Sequence, residues 1–500
     1  MALTAVLFLL AAAMLAPGLV VGPSLDAAVF GHIGGRLLEG VAPYIGTWDH
    51  KPPGIYLASA VMQGALGWLG PWTADWVLSL GASVGIGRAV ATVLLRLEVT
   101  GWSRSLAAIG ATVLASQYLL ALGGGLTEPL ATVLVASAFV LSVGPMTTRR
   151  LASIGVLAGL SALVSFQLVP GSIAILAFAI LQRPAGGRIG AAGVVAFAFV
   201  APLLIAATWL WIIGALPAAV DAILVYSGAY RASSGDYGGT LGAPVAAWTV
   251  LASVFLAAPA LFGAAAAAWT GGVRRAVGIA LVLWICVSLV LFVVQGRFYA
   301  HYAIPLAVPL GVLAGLGLER VRSSRPSVQS ARRPLLGPVF IGTLLVSVAA
   351  GIISGAMQIA PVSDAHARNQ AVAGNLRGLR PGSMLVWGNQ PVLYDLAARD
   401  PATVYTYLYP LTTPGYSTSA MIEAAARQIA QHPPAVVVDA GSNGPGQPGF
   451  LPLLIARPIA TEGRDLDLLE PLRTFVAAHY DLAATVAGWP IYVWRNEAAP

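Results

Sequence analysis

Long apolar runs separated by short polar segments fill the first two thirds of this chain. A helix needs about 20 apolar residues to cross a bilayer, and the first run of about that length covers residues 3–21. The later runs cover residues 74–97, 105–122, 127–143, 152–166, 168–182, 190–213, 246–269, 276–295, 302–318 and 337–357. The pattern therefore predicts about eleven transmembrane helices. It leaves open whether residues 54–70 and the short pair of runs within 152–182 cross the membrane.

The pattern changes after about residue 359, where short strand-like and helical segments alternate. The segments MLVW at 384–387, TVYTY at 403–407 and AVVVDA at 435–440 are typical of strands, and helical stretches at 390–399, 418–431 and 467–479 lie between and after them. The ending LAATVAGWPIYVW at 482–494 predicts two strands joined through Gly488–Pro490. Such alternation favours a small layered α/β domain.

These patterns predict a mainly α, polytopic membrane protein with a C-terminal soluble α/β domain. We place a transmembrane domain at 1–358, with its first external loop at 22–73 and a basic cytoplasmic linker at 319–336, and the α/β domain at 359–500. Composition agrees, because 58% of the residues are hydrophobic and 9% are charged, whereas about a quarter are charged in soluble domains. The single cysteine, Cys286, excludes a disulfide or a thiolate metal site within the chain.

The basic residues indicate which side of the membrane each loop faces. With residues 54–70 left at the surface, thirteen arginines fall in loops on one side, and the opposite short loops hold four basic residues, Arg36, Lys51, Arg231 and Arg297. Short cytoplasmic loops carry the excess of basic residues. The first loop and the α/β domain are therefore predicted to lie outside the cytoplasmic (inner) membrane of the cell. The net charge of +7 reflects this orientation, and no nucleic-acid partner is expected.

The densest polar segment runs from Asp26 to Pro53, DAAVFGHIGGRLLEGVAPYIGTWDHKPP, and holds the only lysine of the chain. The segment begins with an acid at the start of an amphipathic helix, followed by L-x-x-G-x-x-P-Y and D-x-K-P-P. This arrangement resembles the first extracytoplasmic loop of the protein O-mannosyltransferase and lipid A aminoarabinose-transferase group. The resemblance covers roughly residues 1–320 in layout. It implies a GT-C fold and the transfer of a sugar from a polyprenyl-phosphate carrier in the membrane to a lipid, glycan or protein acceptor.

Sugar transfer to a hydroxyl needs a base, which a carboxylate can supply. The helical period points Asp26 along the apolar side of its helix, and this position matches the catalytic acid of the family. Stabilisation of the helix start is the alternative role. Glu128, in GGGLTEPL, matches a later acidic motif of the same enzymes and is expected to act as a second acid. Helix capping by Thr127, with Glu128 in the first turn, is its alternative.

The resemblance also implies a divalent cation, Mg²⁺ or Mn²⁺, with Asp26 and Glu128 as its ligands. Many relatives carry a second acid directly after the first, and this chain has Ala27 there. This difference counts against a cation site.

The departing phosphate needs positive charge. Lys51 is one expected source, and QGRFYAHY at 295–302 resembles the basic-aromatic segment of the family, in which Arg297 would bind phosphate with help from His301 or Tyr302. Snorkelling at the membrane edge and an interfacial aromatic belt are the alternatives. The weaker candidates for contacts with the sugar or the acceptor are Asp49, His50, Tyr44 and Trp48.

The sequence thus favours a membrane glycosyltransferase and leaves two other classes open. A transporter or lipid flippase would use buried acids and the mid-membrane Arg88 to line a pathway. A binding subunit derived from such enzymes, without catalysis, would agree with Ala27. No internal symmetry of the kind usual in transporters is visible in the sequence.

Overall fold

The computed structural model describes residues 1–233, 259–268, 271–294, 299–323, 336–440 and 470–495. The helices of the apolar region are α1 (Ala2–Val21), α2 (Leu25–Leu38), α3 (Gly54–Leu66), α4 (Pro71–Arg96), α5 (Gly101–Ser116), α6 (Tyr118–Ala121), α7 (Thr127–Ser142), α8 (Thr148–Val164), α9 (Val169–Leu181), α10 (Arg188–Ile212), α11 (Leu216–Val220), α12 (Ser227–Ala232), α13 (Pro259–Ala268), α14 (Gly272–Val294), α15 (Ala307–Ser323) and α16 (Leu336–Arg377). Short 3₁₀ turns precede α9 and α15, at Phe166–Leu168 and Ala300–Leu306, and a π-helical turn at Asp221–Tyr226 joins α11 to α12.

Six of the described helices are long and apolar enough to cross a membrane by themselves: α1, α4, α10, α14, α15 with its preceding turn, and α16. Shorter apolar helices lie at Gly54–Leu69, Thr127–Ser142, Phe166–Leu181 and Pro259–Ala268. The prediction of a polytopic, mainly helical protein is confirmed. The total of about eleven crossings stays a prediction.

Close packing in the centre of the bundle depends on small residues. Helix α15 is buried over Ala307–Leu318, and its Gly311 lies against Val90 of α4. The Cβ of any larger residue at Gly87 of α4 would overlap Thr112 of α5. Because van der Waals packing holds helices together within a membrane, such contacts stabilise the bundle. Arg88, beside Gly87, has its side chain on the exposed face of α4 and not in an interior pathway.

Helix α16 connects the bundle to the C-terminal domain. Its 42 residues span roughly 60 Å. Phe340 and Leu344 pack into the bundle, and Val372 and Leu376 belong to the core of the C-terminal domain. The helix therefore runs without a break across the boundary that the sequence places at residues 358 and 359.

The C-terminal domain contains a four-stranded sheet between two helical layers. Its strands are β1 (Met384–Trp387), β2 (Val436–Asp439), β3 (Tyr480–Val486) and β4 (Trp489–Trp494), and its helices are α17 (Val392–Ala397), α18 (Tyr409–Thr412), α19 (Ser419–Gln431) and α20 (Glu470–His479). The strand order is β1-β2-β4-β3, with β1 and β2 parallel and the other two pairs antiparallel. Strands β1 and β2 are buried on both faces, which explains their continuous apolar sequences.

Most of the predicted elements of this domain are confirmed, including the hairpin of β3 and β4. Its two-residue turn, Ala487–Gly488, has positive φ angles of 50° and 85°, as a tight hairpin turn requires. The predicted strand at 403–407 is wrong. There the Thr403 hydroxyl accepts a hydrogen bond from the amide of Tyr405, and such local bonding competes with pairing into a sheet.

Candidate active site

A cavity of about 890 Å³ lies where the helical bundle meets the C-terminal domain. Asp26, Asp49, His50, Lys51, His301 and Tyr302 line it, so the structure brings together six of the ten site residues named from the sequence. Its other wall is largely apolar, with Leu119, Leu122, Ile223, Leu291 and Val294. The volume is typical of sites for small organic ligands. A polar end beside an apolar wall suits a ligand that has both a charged and a hydrocarbon part.

Asp26 is available for chemistry because another residue caps its helix. Ser24 is the N-cap of α2, and its hydroxyl accepts a hydrogen bond of 3.3 Å from the amide of Ala27. The Asp26 carboxylate has no hydrogen bond or ion pair with any residue that the structure describes. Ser24 thus takes the N-cap role, and Asp26 lies in the first turn of α2, where the helix dipole also favours an acid.

The Lys51 ammonium lies among acidic side chains. The hydroxyl of Tyr44 donates to its backbone carbonyl over 2.8 Å, which fixes the chain at this point. Burial alone would lower the pKa of Lys51, but neighbouring oxygens outweigh that effect and raise the pKa above its usual value. These oxygens belong to Tyr302, Asp26, Glu128 and Asp49. Lys51 is therefore held in its charged form beside the proposed base.

Glu128 lies behind the cavity wall and is 2% exposed. Its Oε1 lies 3.9 Å from Nε2 of His301, whose ring stands perpendicular to that of Tyr302 at a centroid distance of 4.7 Å. The capping role considered for Thr127 is wrong, because α7 begins at Thr127 itself and its N-cap, Leu126, has no side-chain oxygen. The charged or titratable site residues nearest to Glu128 are thus His301 and, by its electrostatic effect, Lys51.

The two expected cation ligands do not line the same space: Asp26 faces the cavity, whereas Glu128 lies behind its wall. No group of three His, Cys, Asp or Glu side chains within the described ranges has the arrangement of a metal site. Ala27 packs against Gly125, where any larger residue would place its Cβ 2.5 Å from the Ala27 Cβ. The positive charge that the structure shows near Asp26 and Glu128 is the Lys51 ammonium.

Asp49 has a structural position at the edge of the cavity. Its carboxylate is 2% exposed and accepts hydrogen bonds of 2.6 Å from both Tyr56 and Tyr407, and His50 Nδ1 lies 3.1 Å away. Burial would raise the pKa of Asp49, but attraction to His50 and the three hydrogen bonds hold the pKa below its usual range. Asp49 thereby joins the first loop to α3 and to the C-terminal domain.

The C-terminal domain forms part of the site, since it contacts α2 and the first loop directly. Asp395 accepts a hydrogen bond of 2.6 Å from His32, and Asp400 pairs with Arg36. The amide of Trp48 donates to the carbonyl of Val404 over 2.8 Å. The domain and the first loop therefore lie on the same side of the bundle, as the sequence predicts.

Of the aromatic residues named from the sequence, His50 and Tyr302 line the cavity, whereas Tyr44 and Trp48 do not. Tyr44 and Trp48 are 2% and 4% exposed, and they pack inside the loop and against the C-terminal domain. The cavity has other rings, contributed by Tyr226, Tyr230, Tyr299, Tyr407 and Tyr409. The sequence places Tyr226 and Tyr230 on the external side, as rings that either stack on sugar or anchor at the interface, and Tyr299 in the interfacial aromatic belt. Tyr407 and Tyr409 were missed, because they come from the C-terminal domain and share no motif with the first loop. Arg297 lies outside the described residues.

Solved structures that are similar to this chain include membrane glycosyltransferases. No protein-family model and no curated protein matches the sequence. ArnT from Cupriavidus metallidurans, bound to undecaprenyl phosphate, superposes with a TM-score of 0.60 at 13% identity, covering 100% of this chain and 98% of ArnT. The arabinofuranosyltransferase AftD from Mycobacteria gives a TM-score of 0.53 at 16% identity, covering 100% of this chain and 40% of AftD. Both have the GT-C fold.

This chain therefore has the GT-C fold and is a polytopic membrane protein with a small C-terminal sheet domain. At these identities the similarity establishes the fold alone.

Proposed function

We propose that this protein is a glycosyltransferase that takes a sugar from a polyprenyl-phosphate carrier and transfers it to an acceptor hydroxyl outside the cytoplasmic membrane. One observation carries the proposal: a carboxylate without a hydrogen bond to any described residue, Asp26, and an ammonium, Lys51, line one cavity with an apolar wall. The similarity to ArnT, which was crystallised with undecaprenyl phosphate bound, supports this class of donor.

In the proposed reaction the acceptor oxygen attacks the anomeric carbon while the bond from that carbon to the phosphate oxygen breaks. Asp26 removes the proton of the acceptor hydroxyl. The phosphate leaves with the bonding electrons, and Lys51, with His301 and Tyr302 beside it, stabilises its charge. Arg297 stays a proposed phosphate ligand on the sequence resemblance. The apolar wall would hold the first part of the polyprenyl chain.

Glu128 is proposed as an indirect participant. It is 2% exposed and does not line the cavity, but it acts electrostatically on Lys51 and lies near His301. We therefore propose that it holds these two groups in place, and we derive no step through a metal ion.

The aromatic wall is proposed to contact sugar. The rings of Tyr226 and Tyr230 stack at 5.7 Å and 19°, and the hydroxyls of Tyr230 and Tyr299 are 2.9 Å apart. Aromatic faces with polar tips suit a ligand that has both C–H and hydroxyl groups. His50, with its ring 5.2 Å from Tyr226, extends this surface towards Lys51.

The test measures transfer by purified protein supplied with radiolabelled polyprenyl-phosphate pentose or hexose and a cell-envelope acceptor fraction. For Asp26→Asn we expect a rate lower by roughly 10²–10⁴, with carrier binding retained. Lys51→Ala should weaken carrier binding roughly 10- to 100-fold, because it removes charge-assisted hydrogen bonds to phosphate. Glu39→Gln, an exposed acid at the other end of α2, is the matched control.

Full transfer by Asp26→Asn would exclude Asp26 as the base. Carrier binding without any glycosidic product, in the wild type and in all variants, would favour a binding subunit. Movement of the lipid across vesicle membranes, again without product, would favour a flippase. Arg88 offers no support for the latter, because its side chain is exposed on the outside of α4.

A further inference from the structure

A second cavity, of about 690 Å³, lies at the end of the bundle away from the C-terminal domain. The ends of α4 and α7 and the starts of α8 and α14 surround it. Three arginines line it: Arg96 at the end of α4, Arg150 in the first turn of α8 and Arg274 in the first turn of α14. It belongs to the side that carries most of the basic residues in the sequence.

Each guanidinium uses part of its hydrogen-bonding capacity to hold a backbone carbonyl. Arg96 donates to Val143 over 3.0 Å, and Arg150 donates to Pro145 over 3.1 Å. Arg274 donates to the carbonyl of Leu97 over 2.7 Å. Because a guanidinium has five N–H groups, donors remain that these carbonyls do not use.

Acidic charge in this cavity is weak. Glu98 is the acid among the lining residues; its side chain is 89% exposed, and it lies 3.9 Å from Arg274. The positive charges of Arg96 and Arg150 act on each other unfavourably. Within the described residues neither of these two arginines has a carboxylate within 4 Å. Backbone carbonyls thus hold these two guanidiniums at the same cavity.

We propose that this cavity binds a phosphate group. Arginine forks match phosphate oxygens and form strong, charge-assisted bonds with them, and a bound phosphate would remove the repulsion between Arg96 and Arg150. The ligand would be the head group of an anionic phospholipid or a soluble phosphate compound. The site is independent of the proposed transfer reaction, because the first cavity shares no lining residue with it.

The experiment compares two phosphate sources on purified full-length protein. Phosphatidylglycerol, with phosphatidylcholine as the reference lipid, is titrated and bound lipid is counted by native mass spectrometry. Inorganic phosphate is tested against chloride at equal ionic strength by thermal melting. The double variant Arg96→Gln/Arg150→Gln is matched by Arg149→Gln/Arg275→Gln, which removes the same charge at the same end from exposed arginines that do not line the cavity.

We expect phosphatidylglycerol to bind the wild type, the cavity variant to bind it about tenfold or more weakly, and the matched control to stay within about twofold. A rise in melting temperature with inorganic phosphate, lost in the cavity variant alone, would support a soluble ligand. If the double variant does not fold, the test is repeated with the single variant Arg150→Gln, which loses only one hydrogen bond to a backbone carbonyl. Equal weakening in the cavity variant and the control, or no effect of either phosphate source, would overturn the proposal.

Discussion

Asp49 illustrates how one residue can fix a site without carrying out its chemistry. Its two carboxylate oxygens accept hydrogen bonds from Tyr56 and Tyr407, which lie 7 and 358 residues away along the chain. The next residues along the chain are His50 and Lys51, so Asp49 fixes the backbone from which the Lys51 side chain extends. We interpret Asp49 as the anchor of the first loop, and not as a contact for the sugar.

Asp49→Asn should therefore lower the melting temperature at neutral pH. An amide nitrogen would face one of the tyrosine hydroxyls, and charge-assisted bonds of about 1.5–3 kcal/mol each would be lost. The folded state holds the pKa of Asp49 low, so its stabilisation is full above the ordinary aspartate value near 3.9 and is lost as the pH falls below it. The difference in melting temperature between the two proteins should be constant from pH 7 to about pH 4.5 and should begin to narrow between there and pH 3.

Tyr407→Phe is the matched control, since it removes one donor and keeps the carboxylate. It should show a smaller loss at neutral pH. A difference between Asp49→Asn and the wild type that stays constant down to pH 3 would contradict this interpretation of Asp49.

Local sequence predicted the part of the site that lies in one segment. Asp26, Asp49, His50 and Lys51 lie within 26 positions of each other, and a motif can identify them together. Tyr407 could not be identified, because its contact with the first loop depends on how the C-terminal domain docks on the bundle. For the same reason Trp48 looks like a sugar platform in the sequence and is buried against that domain in the structure.

At the scale of elements, the loop before α7 determines how closely α2 can approach the bundle. Gly125 has a φ of +81°, its amide donates to the Ser79 hydroxyl over 2.7 Å, and its Cα faces Ala27. Only glycine combines this backbone conformation with such close contact. The contact gives a physical reason for a small residue at position 27, beside the proposed base.

Gly125→Ala should lower stability by about 1–3 kcal/mol, through backbone strain and overlap with Ala27. It should also reduce sugar transfer, because α2 carries Asp26. The matched control is Gly81→Ala in α4, whose added methyl group meets nothing within 4 Å and should raise helix stability by about 0.5–1 kcal/mol. Thermal melting of the two variants checks this, and equal melting temperatures would exclude the proposed contact.

The sequence predicted a helix or strand correctly where the whole segment lies in one environment, either the membrane or a protein core. Apolar runs gave the helices of the bundle, and strands buried on both faces gave β1 and β2. The sequence predicted wrongly where the amino-acid composition of a segment does not match its backbone conformation. Helix α16 continues from apolar into polar residues because its hydrogen bonds are internal and tolerate both surroundings. TVYTY has the composition of a strand, but Trp48 donates to the Val404 carbonyl and Thr403 bonds to Tyr405.

At the scale of the whole molecule, the two cavities lie at opposite ends of one bundle. The first is completed by the C-terminal domain and holds Asp26 and Lys51, and the second is lined by arginines. The excess of basic residues at the second end predicts that it faces the cytoplasm. Because His32 and Trp48 contact the C-terminal domain, the first loop and that domain lie on the same side of the membrane. The orientation of the bundle therefore determines the side of both.

We predict that the first cavity and the C-terminal domain face the outside of the cell. Cysteines introduced as Ser419→Cys in α19 and Thr148→Cys at the start of α8, both at exposed positions, report the two ends. The exposed Cys286 is first replaced by serine. In intact spheroplasts an impermeant thiol reagent should label Ser419→Cys and not Thr148→Cys, and permeabilisation should make both reactive. Labelling of Thr148→Cys alone would invert the orientation, and with it the side on which the proposed donor and acceptor meet.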